Sequence, residues 1–126
     1  MQISKKFDFK NGKGQLLSGR LELPVNRPIA YAIFAHCFTC SKNFNAASKI
    51  AKNLSLLGIA TLRFDFTGLG NSEGDFANTN FSSNIDDLRS AFLAIKEAYS
   101  APTLLIGHSL GGAAVLKLQD ELDDIK

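Results

Sequence analysis

The stretch LLIGHSLGG, residues 104–112, decides the predicted fold. A short apolar run ends at Gly107, Ser109 follows two residues later, and Gly111 stands two residues beyond the serine. This G-x-S-x-G spacing predicts a sharp turn from a strand into a helix, with the serine at its apex. Side chains at the two glycine positions would collide across such a turn. A glycine-rich connection with an incidental serine is disfavoured by the doubled glycine and by the apolar run before it.

A serine on such a turn is suited to attack a carbonyl carbon. The turn lifts the Ser109 hydroxyl above the sheet, and the backbone N–H of Leu110 points at the oxygen of a bound carbonyl. We therefore predict Ser109 as a nucleophile and the Leu110 N–H as a donor of an oxyanion hole. Strand alternation turns the His108 side chain away from the serine, so we interpret His108 as a packing residue that lines the site.

Length and composition favour one small folded domain. The chain has 126 residues, of which 45% are hydrophobic and 21% charged, so a buried core is expected. The net charge is +2 and the basic residues are scattered, a pattern that indicates neither a nucleic-acid partner nor a membrane-surface partner. The sequence has no apolar run long enough to span a membrane and no apolar signal region, so we expect a cytoplasmic protein.

Apolar periodicity predicts an N-terminal hairpin followed by buried strands. Apolar residues alternate with polar ones on both sides of a turn at Asn11–Gly14, which indicates an antiparallel hairpin. Nearly continuous apolar runs at residues 29–35, 59–66 and 103–106 predict three strands that are buried on both faces.

Helices are predicted between these buried strands. Helical spacing predicts a first helix that ends at Gly58 and a last helix that follows Ser109. The middle helix is predicted to start with a capping box of Ser83 and Asp86, with acidic residues at its positive end. The order β-β-β-α-β-α-β-α defines an α/β fold with a mostly parallel sheet and an N-terminal antiparallel hairpin.

Three distinctive loops are expected at one edge of this sheet, because parallel strands end at the same edge. They are His36–Cys40, Asp65–Gly74 and His108–Gly112. Asp65 ends a buried strand and is expected to accept hydrogen bonds that hold the following loop. The hydroxyl groups of Thr67 and Ser72 are expected to form hydrogen bonds within the same loop. His36 is expected to form a hydrogen bond with the backbone of its own loop. Because His36 could also lie near Ser109, a role as general base stays open.

At these loops the chain resembles the α/β-hydrolases. Residues 107–112, GHSLGG, resemble the nucleophile elbow of this family. Residues 36–38, HCF, resemble its oxyanion loop. Residues 63–72, RFDFTGLGNS, resemble the loop after its fourth strand. Together with residues 74–82, GDFANTNFS, this combination is similar to bacterial hydrolases that carry an OsmC-like domain at the C-terminus. The resemblance covers the front half of the hydrolase domain without the OsmC-like domain, so the peroxide chemistry of that domain is not carried over.

The resemblance implies the rest of the reaction chemistry. The backbone N–H of Phe38 would be the second oxyanion donor beside that of Leu110. The glycine usual in the oxyanion loop is Cys37 here, and its side chain narrows the approach, which weakly favours small acyl groups. The substrate class is a small molecule with an ester, thioester or amide carbonyl, attacked by Ser109, and no cofactor or metal is implied.

The catalytic set is expected to be incomplete. In this fold the acid and the histidine of the triad follow the serine along the chain. The residues after Ser109 hold no histidine, and their acids fall at the far end of the last helix. We therefore expect residues 1–126 to be a single, truncated domain that is inactive alone, and we expect its edge strand at 103–106 to promote association between copies. The acids are Asp120, Glu121, Asp123 and Asp124.

Two other classes of function stay open. Cys37 and Cys40 have the C-x-x-C spacing of thioredoxin-like thiol–disulfide exchange and follow a strand. That motif normally opens directly into a helix, whereas polar residues intervene here, and it would not explain residues 107–112. A structural zinc site with His36 would need four ligands, and the sequence has no second cysteine pair. The other class is a non-catalytic α/β module that binds a carbonyl compound or a partner.

Overall fold

After the antiparallel strands at the N-terminus, strands and helices alternate along the chain, as the sequence predicts. The computed structural model describes residues 2–36, 45–75, 79–107 and 110–120. The elements in these ranges are β1 Gln2–Lys6, β2 Phe9–Lys10, β3 Leu16–Leu17, β4 Gly19–Pro24, β5 Ala30–Ala35, α1 Asn45–Leu56, β6 Ile59–Phe64, α2 Phe81–Ala98, β7 Leu104–Gly107 and α3 Leu110–Gln119.

A five-stranded sheet in the order β1-β4-β6-β5-β7 lies at the centre of the described chain. β4 pairs antiparallel with β1 and β6, whereas β5 pairs parallel with both β6 and β7. Every strand of this sheet except β4 therefore runs in the same direction, which confirms the mostly parallel sheet. β7 ends the strand order, so among the described residues its outer edge carries no neighbouring strand.

The N-terminal hairpin is confirmed, but it is divided into two ribbons. β1 and β4 belong to the large sheet, and β2 pairs with β3 in a separate antiparallel ribbon. At the division, Phe7 N–H donates to the Gly19 carbonyl at 3.0 Å, and the Asp8 carboxylate accepts from Gly19 N–H at 3.1 Å. A Cβ at Gly19 would collide with the Phe7 carbonyl oxygen, so only glycine permits this close crossing.

One face of the sheet carries a row of aliphatic side chains. Leu21, Leu62, Ile33 and Leu105 are register partners on β4, β6, β5 and β7, and all are buried. They join one hydrophobic cluster with side chains of α2 and α3. Burying each aliphatic side chain is worth about 1.5–3 kcal/mol, so this face supplies much of the stabilising free energy.

The helix α1 packs on β6 and β4 through small side chains. Ala47, Ala51 and Ser55 recur every four residues and are buried. Gly58 follows the helix with φ of +91°, and its N–H donates to the Ser55 carbonyl at 3.1 Å. A left-handed glycine at this place is a common helix end, which confirms the predicted stop.

The helix α2 begins earlier than the sequence analysis predicts. Its N-cap is Asn80, whose side chain accepts from Ser83 N–H at 2.8 Å, while Ser83 Oγ accepts from Asn80 N–H at 2.9 Å. The predicted box of Ser83 with Asp86 is therefore wrong, because asparagine caps at least as well as serine and takes the earlier position. Asp86 is exposed and pairs with Arg89, and the first turn of α2 contains no acidic residue.

None of the helices in the described ranges combines the length and the apolar character that a bilayer crossing needs.

Candidate active site

The C-terminal ends of three parallel strands meet at one edge of the sheet. Ala35, the last residue of β5, is the register partner of Gly107, the last residue of β7, and β6 lies on the other side of β5. His36 follows β5, Asp65 follows β6, and Leu110 opens α3 directly beyond this edge. The expected convergence is therefore confirmed for these described residues.

The predicted nucleophile itself lies outside the described residues, as do His108, Cys37, Phe38 and Cys40. The strand and the helix that the G-x-S-x-G motif predicts are both present, separated in the chain only by His108 and Ser109. Leu110 is the first residue of α3, so its backbone N–H belongs to the first turn, whose donors have no acceptor within the helix. Such donors stabilise negative charge.

His36 is buried at this edge, with only 1% of its surface exposed. Its Nε2 lies 3.8 Å from Asp65 Oδ1, a distance within ion-pair range but too long for a hydrogen bond. Its ring meets the Phe66 ring edge-on, with 5.2 Å between centroids. This packing suits a residue that positions the chain where it leaves β5, and a role for His36 as general base stays a prediction.

Asp65 is a buried carboxylate that holds the loop after β6. Its Oδ2 accepts from the Asn71 N–H at 3.1 Å, and its backbone carbonyl accepts from the Ser72 hydroxyl. A Cβ at Gly70, where φ is +53°, would collide with the carboxylate. The loop therefore wraps closely around Asp65, which confirms that this residue is a structural acceptor and that Ser72 is a loop hydrogen-bonder.

Asp87 of α2 anchors the start of the same loop, a role that the sequence pattern does not predict. Its two carboxylate oxygens accept from the N–H and the hydroxyl of Thr67 at 2.8 and 2.9 Å. Asn11 of the hairpin turn donates to the same hydroxyl at 3.0 Å. Burial raises the pKa of Asp87, against the two Thr67 hydrogen bonds, which lower it. The available signal was its place on the buried helix face, four residues before Ala91.

No metal centre is formed within the part of the chain that the structure describes. Across those ranges, no three His, Cys, Asp or Glu side chains are grouped so that they could hold an ion.

Solved structures of α/β-hydrolases resemble the chain over nearly its whole length. The esterase domain of a Rhodothermus marinus protein is 50% identical, with a TM-score of 0.80 over 98% of this chain and 48% of that chain. Est1E of Butyrivibrio proteoclasticus, solved with ferulic acid, is 27% identical, with a TM-score of 0.86 over 95% and 49%. XC6422 of Xanthomonas campestris, a serine hydrolase without a lid, is 26% identical, with a TM-score of 0.82 over 96% and 57%.

The fold, with three parallel strands that end at one edge of the sheet, is that of the α/β-hydrolase class. A family model described as serine aminopeptidase, S33, matches residues 28–125, and the chain belongs to this family. This membership confirms the resemblance drawn from the loop motifs. The comparison with curated proteins finds no match. The chain spans about half the length of the three structures above, with 48%, 49% and 57% of each covered.

Proposed function

We propose that this chain carries the nucleophile half of a serine esterase. The observation that carries the proposal is the sequence position of Ser109 between α3 and β7, a strand that ends at the same edge as β5 and β6, which His36 and Asp65 follow. The 50% identity to an esterase domain supports the same class of reaction. The substrate is a small molecule with an ester, thioester or amide carbonyl.

In the proposed reaction the Ser109 hydroxyl adds to the carbonyl carbon and loses its proton to a base. The oxygen of the tetrahedral intermediate becomes negative and accepts hydrogen bonds from the backbone N–H groups of Leu110 and Phe38. Collapse of the intermediate releases the alcohol, thiol or amine that takes up the proton, and water then cleaves the acyl-serine. His36, Cys37 and His108 line this site without taking part in bond breaking.

The acid and the histidine of the triad are proposed to come from sequence beyond Lys126. The support is the buried position of His36 together with the half-length match to the solved relatives. A serine hydroxyl without a base is a poor nucleophile, so the 126-residue chain alone should turn over esters no faster than its Ser109→Ala variant.

A chimera tests the proposed function. Residues 1–126 are joined to the remaining half of the Rhodothermus marinus esterase domain, and p-nitrophenyl acetate hydrolysis and fluorophosphonate labelling are measured. Both signals should appear in the chimera, disappear in Ser109→Ala and persist in Ser100→Ala, which alters an exposed serine away from this edge. Labelling that persists in Ser109→Ala would show that another residue is the nucleophile.

Cys37 and Cys40 have no catalytic part in this proposal. Mild oxidation should be able to bridge them, but replacing both with alanine in the chimera should leave most of the hydrolysis. Loss of hydrolysis in the double variant, with an unchanged circular dichroism spectrum, would favour a thiol–disulfide function instead.

The surroundings of the protein are also part of the proposal. We place it in the cytoplasm, with small acyl substrates as partners and without nucleic-acid or membrane partners. The outer edge of β7 would allow two copies to associate, because an open strand edge pairs readily with another strand. A sedimentation profile that stays monomeric at all concentrations would contradict this association.

A further inference from the structure

A polar cleft of about 500 Å³ opens where the N-terminal hairpin divides. Its walls include Lys6 and Asp8 from the start of the hairpin, Arg20 from β4, and Asn71 and Glu73 from the loop after β6. The volume falls in the range of about 300–1,000 Å³ that small-molecule sites occupy.

Both carboxylates of the cleft are already engaged by the protein. Asp8 Oδ1 accepts from Gly19 N–H at 3.1 Å, and its Oδ2 lies 3.4 Å from Lys6 Nζ. Glu73 Oε1 accepts from Leu16 N–H at 2.8 Å. These carboxylate oxygens therefore bond to the backbone and the lysine of the cleft wall, while both acids keep their negative charge.

Lys6 and Arg20 line the cleft with two positive charges, equal in number to the negative charges of Asp8 and Glu73, and only Lys6 forms an ion pair with one of these acids. Lys6, Arg20 and Arg63 are direct register partners on β1, β4 and β6, an arrangement of like charges that destabilises a sheet unless the charges are compensated. Arg63 donates to Glu22, and Lys6 lies beside Asp8. Within the described ranges, the Arg20 guanidinium has no hydrogen-bond or ion-pair acceptor.

The Asn71 carboxamide adds further hydrogen-bonding capacity to the cleft. Its backbone N–H is used by Asp65, whereas its side chain has no partner among the described residues. The cleft thus presents a planar guanidinium fork, an ammonium group and a carboxamide, next to acids that are already bonded. This set of donors matches a ligand that is rich in acceptors and negatively charged.

We infer that this cleft binds the oxyanion group of a small molecule, a carboxylate or a phosphate, with Arg20 as its main ligand and Lys6 and Asn71 beside it. The site is distinct from the proposed acyl site. Arg20 is separated from Ile106 of β7 by three strand spacings through Arg63 and Phe34, a distance of about 14 Å. The inference therefore does not depend on the proposed esterase function.

Nuclear magnetic resonance of the arginine side chains of the 126-residue chain tests the inference. Inorganic phosphate and succinate are titrated separately, with sodium chloride added to keep the ionic strength constant. The Arg20 side-chain resonance should shift in a saturable manner with at least one of them. Saturation by phosphate alone assigns a phosphate group, saturation by succinate alone assigns a carboxylate, and saturation by both supports an oxyanion site for either group.

Variants identify the residue that binds. Arg20→Gln should weaken the affinity at least about tenfold, which is the contribution of one charge-assisted hydrogen bond. Arg27→Gln removes the same charge from the loop after β4, outside the cleft, and should leave the affinity unchanged. The Lys6 side chain is 76% exposed, so Lys6→Gln should not disturb folding. This substitution should weaken the affinity by a smaller factor than Arg20→Gln does.

Three results would overturn the inference. They are the absence of a saturable Arg20 shift with either anion, an equal loss of affinity in Arg20→Gln and Arg27→Gln, and full competition by chloride at matched ionic strength. If Arg20→Gln does not fold, equal affinities in Lys6→Gln and Arg27→Gln overturn it in the same way.

Discussion

The two faces of the central sheet bury different kinds of side chain. Beneath α2 and α3, the row of Leu21, Leu62, Ile33 and Leu105 is aliphatic throughout. On the opposite face, buried polar residues occupy neighbouring positions of the same strands. Hydrophobic burial is non-directional, whereas a buried ion pair is favourable only when its partners meet correctly.

The polar face contains Glu22, Thr61 and Arg63, all almost fully buried. Glu22 and Thr61 are register partners, and Arg63 Nη2 donates to Glu22 Oε1 at 3.1 Å. A slip of one residue between β4 and β6 would move either Glu22 or both Thr61 and Arg63 to the aliphatic face, and it would separate the ion pair. Our hypothesis is that this face specifies the register of the sheet, while the aliphatic face provides most of the stability.

The largest effect is expected from breaking the ion pair. Arg63→Met leaves the Glu22 carboxylate buried without its partner and should lower the free energy of unfolding by about 3–5 kcal/mol. The double variant Glu22→Leu/Arg63→Met should recover most of this loss, because apolar side chains of similar volume can replace a buried pair. Urea denaturation measures both values, and a double variant as unstable as Arg63→Met would refute our account of this face.

A slightly smaller effect is expected on the aliphatic face. Leu62→Ala removes the centre of the aliphatic row and should cost about 2–5 kcal/mol, with a value near 3 kcal/mol expected. Leu93→Ala, at an α2 side chain that is 52% exposed, is the matched control and should change stability by less than about 0.5 kcal/mol. Similar losses in both leucine variants would mean that the row is not the centre of the core.

The smallest effect on stability is expected from the titration of Asp87, whose side chain lies on the buried face of α2. Burial raises the pKa of Asp87 above its ordinary value, so the folded protein holds this proton more tightly than the unfolded chain does. Its contribution to stability is complete below the ordinary pKa and decreases as the pH rises through the folded-state pKa. The stability of the wild type relative to Asp87→Asn should therefore fall in urea denaturation as the pH rises from below the ordinary pKa of 3.8. A relative stability that rises over this range would contradict the assignment.

Local patterns predicted the elements and the edge where the site lies. The apolar runs of β5, β6 and β7 gave their approximate ranges, and the G-x-S-x-G motif required the strand and the helix that flank Ser109. Asp65 was also predictable, because a carboxylate at the end of a buried strand needs donors from the following loop.

Contacts between distant parts of the chain could not be predicted in the same way. Asn80 and Ser83 are both good caps, and the register of α2 also satisfies a bond between Asp87 and Thr67, 20 residues earlier. Glu22 and Arg63 are 41 residues apart, and their pairing requires β4 and β6 to be neighbours. The register that aligns Arg20 with Arg63 has the same origin, so the oxyanion cleft is visible only in the folded chain.

The pairing of β5 with β7 has a consequence for the order in which the chain folds. The two strands are separated by roughly 70 residues, so the entropy of a long loop is lost before this pairing forms. At a synthesis rate of about 5–20 residues per second, the edge of β5 that pairs with β7 stays without this neighbour for several seconds during synthesis. We therefore expect the closure of β7 on β5 to come late among the strand pairings described here, and we expect the nascent chain to be open to wrong strand pairing during that interval.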